Sequence, residues 1–275
     1  MENRRAGLRR WRTRIGLAML VVIALFLRAY SEPKQTVPTA PAWSFWGATV
    51  YPVIGDLGGA PVSIPSPYAR LAEYEGDPAI GQAAVGDATP RTWTSKLRSV
   101  AFDLRFPDMK GLDDDLAGEE AETTVWTTNW MRVLLNAGSR YFGSDFLEAN
   151  VESLADPEKR KYVYRLLPDL EFGLFAYAPV GVDESRRQLT NLGSADASDL
   201  NIYVHRDGRG HVATYIECSN VHHQAARCAQ EFDLSPDMEA AVSISYRKDL
   251  LVHWRAIQDS VRHTVLGFRA DPPSN

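Results

Sequence analysis

YIECSNVHHQAARCAQEF, residues 215–232, holds both cysteines of the 275-residue chain, Cys218 and Cys228, with His222 and His223 between them. Three chemistries use such a set: a metal site, a thiol nucleophile beside a base, or a disulfide. Period-two alternation flanks the pair. Val212, Thr214, Ile216 and Cys218 share one face of an extended segment. Cys228, Phe232 and Leu234 share one face of another, with Gln230 the polar exception. Alternation on both sides of a short loop predicts a β-hairpin. Pairing Cys218 with Cys228 sets Ile216 opposite Gln230, Thr214 opposite Phe232 and Val212 opposite Leu234, and brings the sulfurs together at the mouth of SNVHHQAAR.

The choice among the three depends on compartment. The first 14 residues carry six arginines and one glutamate, and the apolar run IGLAMLVVIALFL follows at 15–27. A basic start, an apolar core and the polar, Pro-rich exit RAYSEPKQTVPTAPA describe an export signal. The 13 apolar residues fall short of the roughly 20 that span a bilayer, which favours cleavage, with Ala29 and Ser31 as the small residues before a cut after Ser31. Arg14, Arg28 and Tyr30 can instead snorkel to the interfaces and keep residues 15–27 as an inner-membrane anchor. Either way the remainder is expected in the periplasm. The domain plan is a signal peptide or anchor over 1–30, a Pro-rich linker over 31–48, and one domain over 49–270, with subdomains 49–195 and 196–270 as an alternative. Outside the reducing cytoplasm two cysteines ten positions apart read as a disulfide. Zinc would need a more compact ligand spacing, and an exported free thiol would oxidise. His222 and His223 are then solvated loop residues.

The alternation continues outward. Strands are predicted at 201–206, 211–218, 228–234 and 238–247, joined by HRDGRGH, the disulfide loop and Ser235-Pro236-Asp237. A helix follows, capped by Asp249. Leu250, Leu251, Trp254, Ile257, Val261, Val265 and Phe268 form its apolar stripe, and Arg255, Gln258, Asp259 and Arg262 its polar side. The fold class expected is α+β: an antiparallel sheet, the C-terminal four-stranded meander, with a C-terminal amphipathic helix packed on it. Further strands are predicted at 49–54, 99–106, 130–136, 162–166 and 170–177, and a helix at 144–154. Residues 55–90, rich in Gly, Pro and Ala, read as loop. FDLRFPDM at 102–109 echoes FDLSPDM at 232–238, by duplication or by chance.

Charge narrows the function. Residues 1–30 carry seven arginines and one glutamate, +6, so the whole-chain −5 leaves −11 on residues 31–275. Such a domain repels nucleic acid and attracts a basic partner. The run GLDDDLAGEEAE at 111–122 lacks calcium-loop spacing and reads as a solvated loop. Its acidic side chains, Asp113, Asp114, Asp115, Glu119, Glu120 and Glu122, are the candidate partner-binding residues. No HExxH, GxSxG or GxxxxGK[ST] motif occurs, so no catalytic residue, metal ligand or cofactor is assigned. The register above makes His205 and His211 outer-face neighbours near Tyr203 and Tyr215. That pair is the basis of one rival reading, a metal-dependent hydrolase. A second rival is an envelope structural or assembly component.

Four phrases, PSPYARLAEYEGDPAIG, VAFDLRFPDM, LNIYVHRDGRGHVATYIECSN and SYRKDLLVHWRAIQDSV, are similar to those of a family of exported proteobacterial proteins. That family resembles periplasmic immunity proteins associated with type VI secretion. The resemblance implies a non-enzymatic protein that neutralises an envelope-targeting effector, and a protein partner, expected to be a basic toxin. It carries over no functional residue.

Overall fold

A computed structural model describes residues 52–77, 90–124, 127–156, 158–159, 164–179, 200–219 and 226–272. The chain divides into Met1–Ala48 and Thr49–Asn275, and every described residue belongs to the second unit. The expected export segment, the expected linker and both loop histidines, His222 and His223, lie outside the described residues.

Twelve strands form one sheet: β1 Val53–Leu57, β2 Ala60–Ile64, β3 Leu71–Tyr74, β4 Lys96–Arg105, β5 Lys110–Gly111, β6 Trp130–Ala137, β7 Tyr164–Glu171, β8 Leu174–Pro179, β9 Leu200–Arg206, β10 Val212–Ser219, β11 Arg227–Asp233 and β12 Ala240–Arg247. Among the described residues three α-helices accompany them: α1 Asp114–Glu122, α2 Phe146–Glu152 and α3 Trp254–Leu266. The strand order is β2-β1-β4-β6-β12-β11-β10-β9-β8-β7, with β3 and β5 paired to β4.

This overturns the expected fold class. The four strands β9–β12 are present, but as part of a large mixed sheet in which β1 lies parallel to β4. The reason is the free edge of β12. A meander ending on its most apolar strand would expose a row of unpaired backbone groups. β6 takes that edge instead, in register from Ala240↔Ala137 to Ser245↔Arg132.

Two hairpins depart from the expected elements. Residues 55–90 were expected to be loop, yet β1 and β2 pair through Gly58-Gly59, both at positive φ. Two consecutive positive-φ residues twist a tight hairpin in the favoured sense. Phe172-Gly173, also both positive, turns β7 into β8, where the sequence had suggested a break at 167–169. The predicted 99–106, 130–136 and 144–154 elements correspond to β4, β6, and α2 with a short 3-10 turn after it.

Cys218 and Cys228 are directly opposed in the β10–β11 ladder and bonded, with Ile216 opposite Gln230. Val212 departs from the expected face. A bulge between Val212 and Thr214 turns it away from Thr214 and Ile216, into a second apolar cluster with Val204 and Tyr215. An extra residue in one strand flips every side chain beyond it.

α3 is amphipathic, and Trp254, Ile257, Val261 and Val265 are buried. They join the even-numbered core residues of β4, β11 and β12 and apolar side chains of β1, β2, β6 and β8 in one cluster. Asp249 does not cap this helix. It sits in the first turn of a preceding 3-10 helix, Lys248–His253, and pairs with Arg247. At one end of α3 the Trp254 indole donates to Phe172 O at 3.1 Å. Just past the other end, Phe268 O accepts from Ser63 N of β2 at 2.8 Å. The thirteen residues of the helix rise about 20 Å. Ten strands laid flat would span about 43 Å at 4.8 Å per step. The sheet therefore curls around α3, which places the helix on the concave side.

The polar exception Gln230 is fully buried. Its Oε1 accepts from Tyr246 Oη (2.8 Å) and its Nε2 donates to Trp254 O (3.2 Å) and Gln258 Oε1 (2.9 Å). Thr214 Oγ1 also donates to Gln258 Oε1, at 2.8 Å. Gln258, expected on the solvent side, is thus turned inward. Three adjacent strands and α3 are fixed by one satisfied network.

The sequence echo has a structural counterpart. Phe102 of β4 pairs with Val133, and Phe232 of β11 pairs with Val242. Val133 and Val242 lie on the two central strands, β6 and β12, whose register sets Leu134 opposite Ser243. A twofold axis at that pair carries one FDL segment onto the other.

Replacing Gln230 with Leu should lower unfolding free energy by about 2–4 kcal/mol, because Tyr246 and the Trp254 carbonyl lose their partners; chemical denaturation checks this. Replacing both cysteines with Ser should cost about 2–3 kcal/mol through loop entropy, and the loss should match that of the wild type under reductant.

Candidate partner-binding surface

Alternation puts a second set of side chains on the convex face, away from α3. One cross-strand row runs Asp103, Arg132, Ser245, Ala229 over β4, β6, β12 and β11. α2 covers this face at β9 and β10, where its Leu147 packs with Ile202, Val204 and Tyr215. It is held there by Glu148, which accepts from Val212 N at 2.7 Å and Arg206 Nη1 at 3.3 Å. α1 stands at the other side, near β4. The strands between are not covered by either helix.

α1 is where the acidic run lies. The expected solvated loop is a nine-residue helix, and the missed signal is its cap: Asp113 Oδ1 accepts from Leu116 N at 3.0 Å. An aspartate at the N-cap and carboxylates in the first turn oppose the helix dipole. The six candidate residues have separate fates. Asp113 is the cap, and Asp114 opens the helix. Glu119 is bound by Arg105, which also holds Asp108 at 2.5 Å. Asp115 and Glu122 face solvent, and Glu120 is half-buried.

Glu120 borders a cleft of about 350 Å³ between α1 and the sheet, with Asp103, Trp130, Arg132, Arg227 and Ser245 among its other walls. Asp103 is buried and salt-bridged to Arg70 and Arg132. Its hydrogen bonds and charge hold Arg132 above the ordinary guanidinium pKa. Arg227 goes the other way: burial, then the nearby charge of Arg132, pull its pKa down. Among the described residues its direct hydrogen bonds go to Ser245, from Nε to Oγ at 3.1 Å and from Nη2 to the carbonyl at 3.0 Å. Neither arginine of the cleft stood out in the sequence, because their adjacency depends on the β6–β12–β11 register.

An apolar patch lies elsewhere. Leu166 and Leu170 of β7 are 53% and 57% exposed, and Phe175 of β8, opposite Leu170, is 39% exposed. β7 ends the sheet path, and Pro168 within it removes a donor from that edge.

The expected His205–His211 neighbours are not brought together. The bulge sets His205 opposite Thr214. Its ring lies 5.3 Å from that of Trp254, on the α3 side, while His211 lies in the turn whose backbone is bound by Asp207. Tyr203 and Tyr215, the other members of that patch, belong to different clusters on opposite faces. Among the described residues no group of three or more His, Cys, Asp or Glu is placed to hold a metal ion, and no helix is long and apolar enough to cross a membrane.

No family model matches the chain, and no curated protein matches it in sequence. Two solved structures are similar. One is Smlt3025, an immunity protein of the Stenotrophomonas maltophilia type IV secretion system, with a TM-score of 0.55 and 18% identity over 81% of this chain and 95% of that one. The other is the Neisseria meningitidis iron-regulated outer membrane lipoprotein FrpD, with a TM-score of 0.40 and 9% identity over 80% and 93%. The first likeness is one of fold and extends over nearly the whole of Smlt3025.

Burial, then the positive charge of Arg255, hold the His205 pKa below its ordinary 6.5. Between the folded value and 6.5 the unfolded chain binds more protons, so stability falls as pH drops through that window. The melting temperature should decline between pH 7.5 and 5.5, and less steeply in His205→Gln.

Proposed function

We propose that this protein is an immunity-type binding protein that neutralises a secreted effector by covering it, without catalysis of its own. The observation that carries this reading is the fold shared with a secretion-system immunity protein over 95% of that protein's length. The export segment and the Cys218–Cys228 disulfide support a periplasmic site of action, with residues 15–27 as either a cleaved signal or an inner-membrane anchor. The −11 carried by residues 31–275 favours a basic effector. The sequence resemblance pointed to type VI secretion, whereas the similar structure serves a type IV system; the proposal concerns the effector and holds for either delivery route.

The convex face beside α1 is the proposed contact surface. Asp115 and Glu122 are its free carboxylates, available to steer a basic partner into place.

The direct test is co-expression of the full-length protein with the product of the adjacent gene, the latter exported to the periplasm. Survival of the cells and co-purification of the two proteins are expected. Death of the cells with no complex recovered would contradict the proposal. Reversing Asp115 and Glu122 to Lys together should slow association about 3- to 10-fold at low salt, with little change in dissociation; stopped-flow or surface binding measures both rates.

A further inference from the structure

We propose that the cleft beside α1 is a carboxylate pocket, which receives one acidic side chain of the protein partner. The strongest indication is Trp130. It is 6% exposed, and its indole nitrogen has no hydrogen-bond partner. Among the described residues two other buried polar side-chain atoms lack such a bond, Glu73 Oε2 and Arg98 Nε, but they face each other as an ion pair at 3.5 Å. Trp130 Nε1 has no counterpart of that kind. A buried donor without an acceptor is a standing cost that a bound acceptor removes.

The second indication is the imbalance of charge around it. Arg70, Arg132 and Arg227 meet two carboxylates, Asp103 and Glu120. Both oxygens of Asp103 are already committed to Arg70 and Arg132. Glu120 acts on Arg132, and Arg227 feels Arg132 and Asp103. Arg227 is therefore anchored by Ser245 with no carboxylate bonded to it. Its Nη1 and that of Arg132 are uncommitted among the described residues. Trp130 and Arg132 are two apart on one strand and point to the same face, and Arg227 lies across β12 from them. The three residues that carry these N–H donors thus line a single cleft. A carboxylate, planar and with several acceptor sites, matches that set, and guanidinium–carboxylate bonds are among the stronger ones a protein makes. A local positive excess inside a domain of charge −11 also distinguishes this spot from the α1 surface beside it. A partner that is basic where it meets α1 would carry one acidic residue where it meets the cleft.

The inference rests on the preceding reading for the identity of the partner, but the pocket can be tested alone. In the full-length protein labelled with ¹⁵N-tryptophan, the Trp130 indole resonance is assigned by its loss in Trp130→Phe. Glutarate should shift it saturably, and at least 10-fold more weakly in Arg227→Gln. Neutral glutaramide should leave it in place. An unmoved resonance, an equal response in Arg227→Gln, or an equal response to glutaramide would overturn the pocket. Tighter binding of inorganic phosphate than of glutarate would overturn the assignment to a carboxylate. If Arg227→Gln does not fold, calorimetry of glutarate binding to Trp130→Phe replaces it, with a several-fold loss expected and wild-type affinity counting against the proposal. With the adjacent gene's product as ligand, Arg227→Gln should weaken the complex about 10-fold, and an unchanged complex overturns the proposal. Failure of the wild-type protein to form any complex counts against the immunity reading, and glutarate then decides the pocket.

Discussion

A helix of 13 residues that touches both ends of a ten-strand path is the constraint from which the rest of this architecture follows. The indole of Trp254 holds the β7–β8 turn, and the carbonyl of Phe268 holds β2. The sheet can satisfy both only by curling, so its two faces become unlike. The inner face is filled by α3 and by side chains with almost no exposure. Its deeply buried Gln230 and Thr214 are hydrogen-bonded to a neighbouring strand and to the helix.

The convex face is therefore the proposed contact surface. There the charges are arranged unevenly. Exposed carboxylates line α1, an arginine-rich cleft lies behind it, and an apolar patch sits apart on the last hairpin. A convex, charge-patterned surface suits a protein that covers another molecule. The disulfide contributes by fixing the β10–β11 register, on which the positions of Gln230 and Arg227 both depend.

The sequence disclosed the parts of this design that rest on local periodicity. Cys218 opposite Cys228, Ile216 opposite Gln230, and the stripe from Leu250 to Phe268 all follow from period two or period 3.6. What it hid depends on long-range pairing or on single-residue irregularities. Nothing local states that β12 pairs with β6 some hundred residues earlier, and that pairing converts a four-stranded meander into a twelve-stranded sheet. The bulge at Val212–Thr214 separated His205 from His211 and removed a plausible metal pair. Gly58-Gly59 was a readable hairpin signal, lost in a composition that looked like loop. Asp113 was a readable cap, lost in a run that looked too acidic to fold. The cleft was least legible of all, since Trp130, Arg132 and Arg227 are brought together by strand order alone.

Hydrogen exchange on the protein alone and in complex with its effector tests the central claim most directly, that the convex face beside α1 is the surface of recognition. The account predicts slowed exchange in α1 and in β6, β11 and β12, with the β7–β8 hairpin unchanged. Protection confined to residues 164–179 would contradict it and assign recognition to the apolar patch.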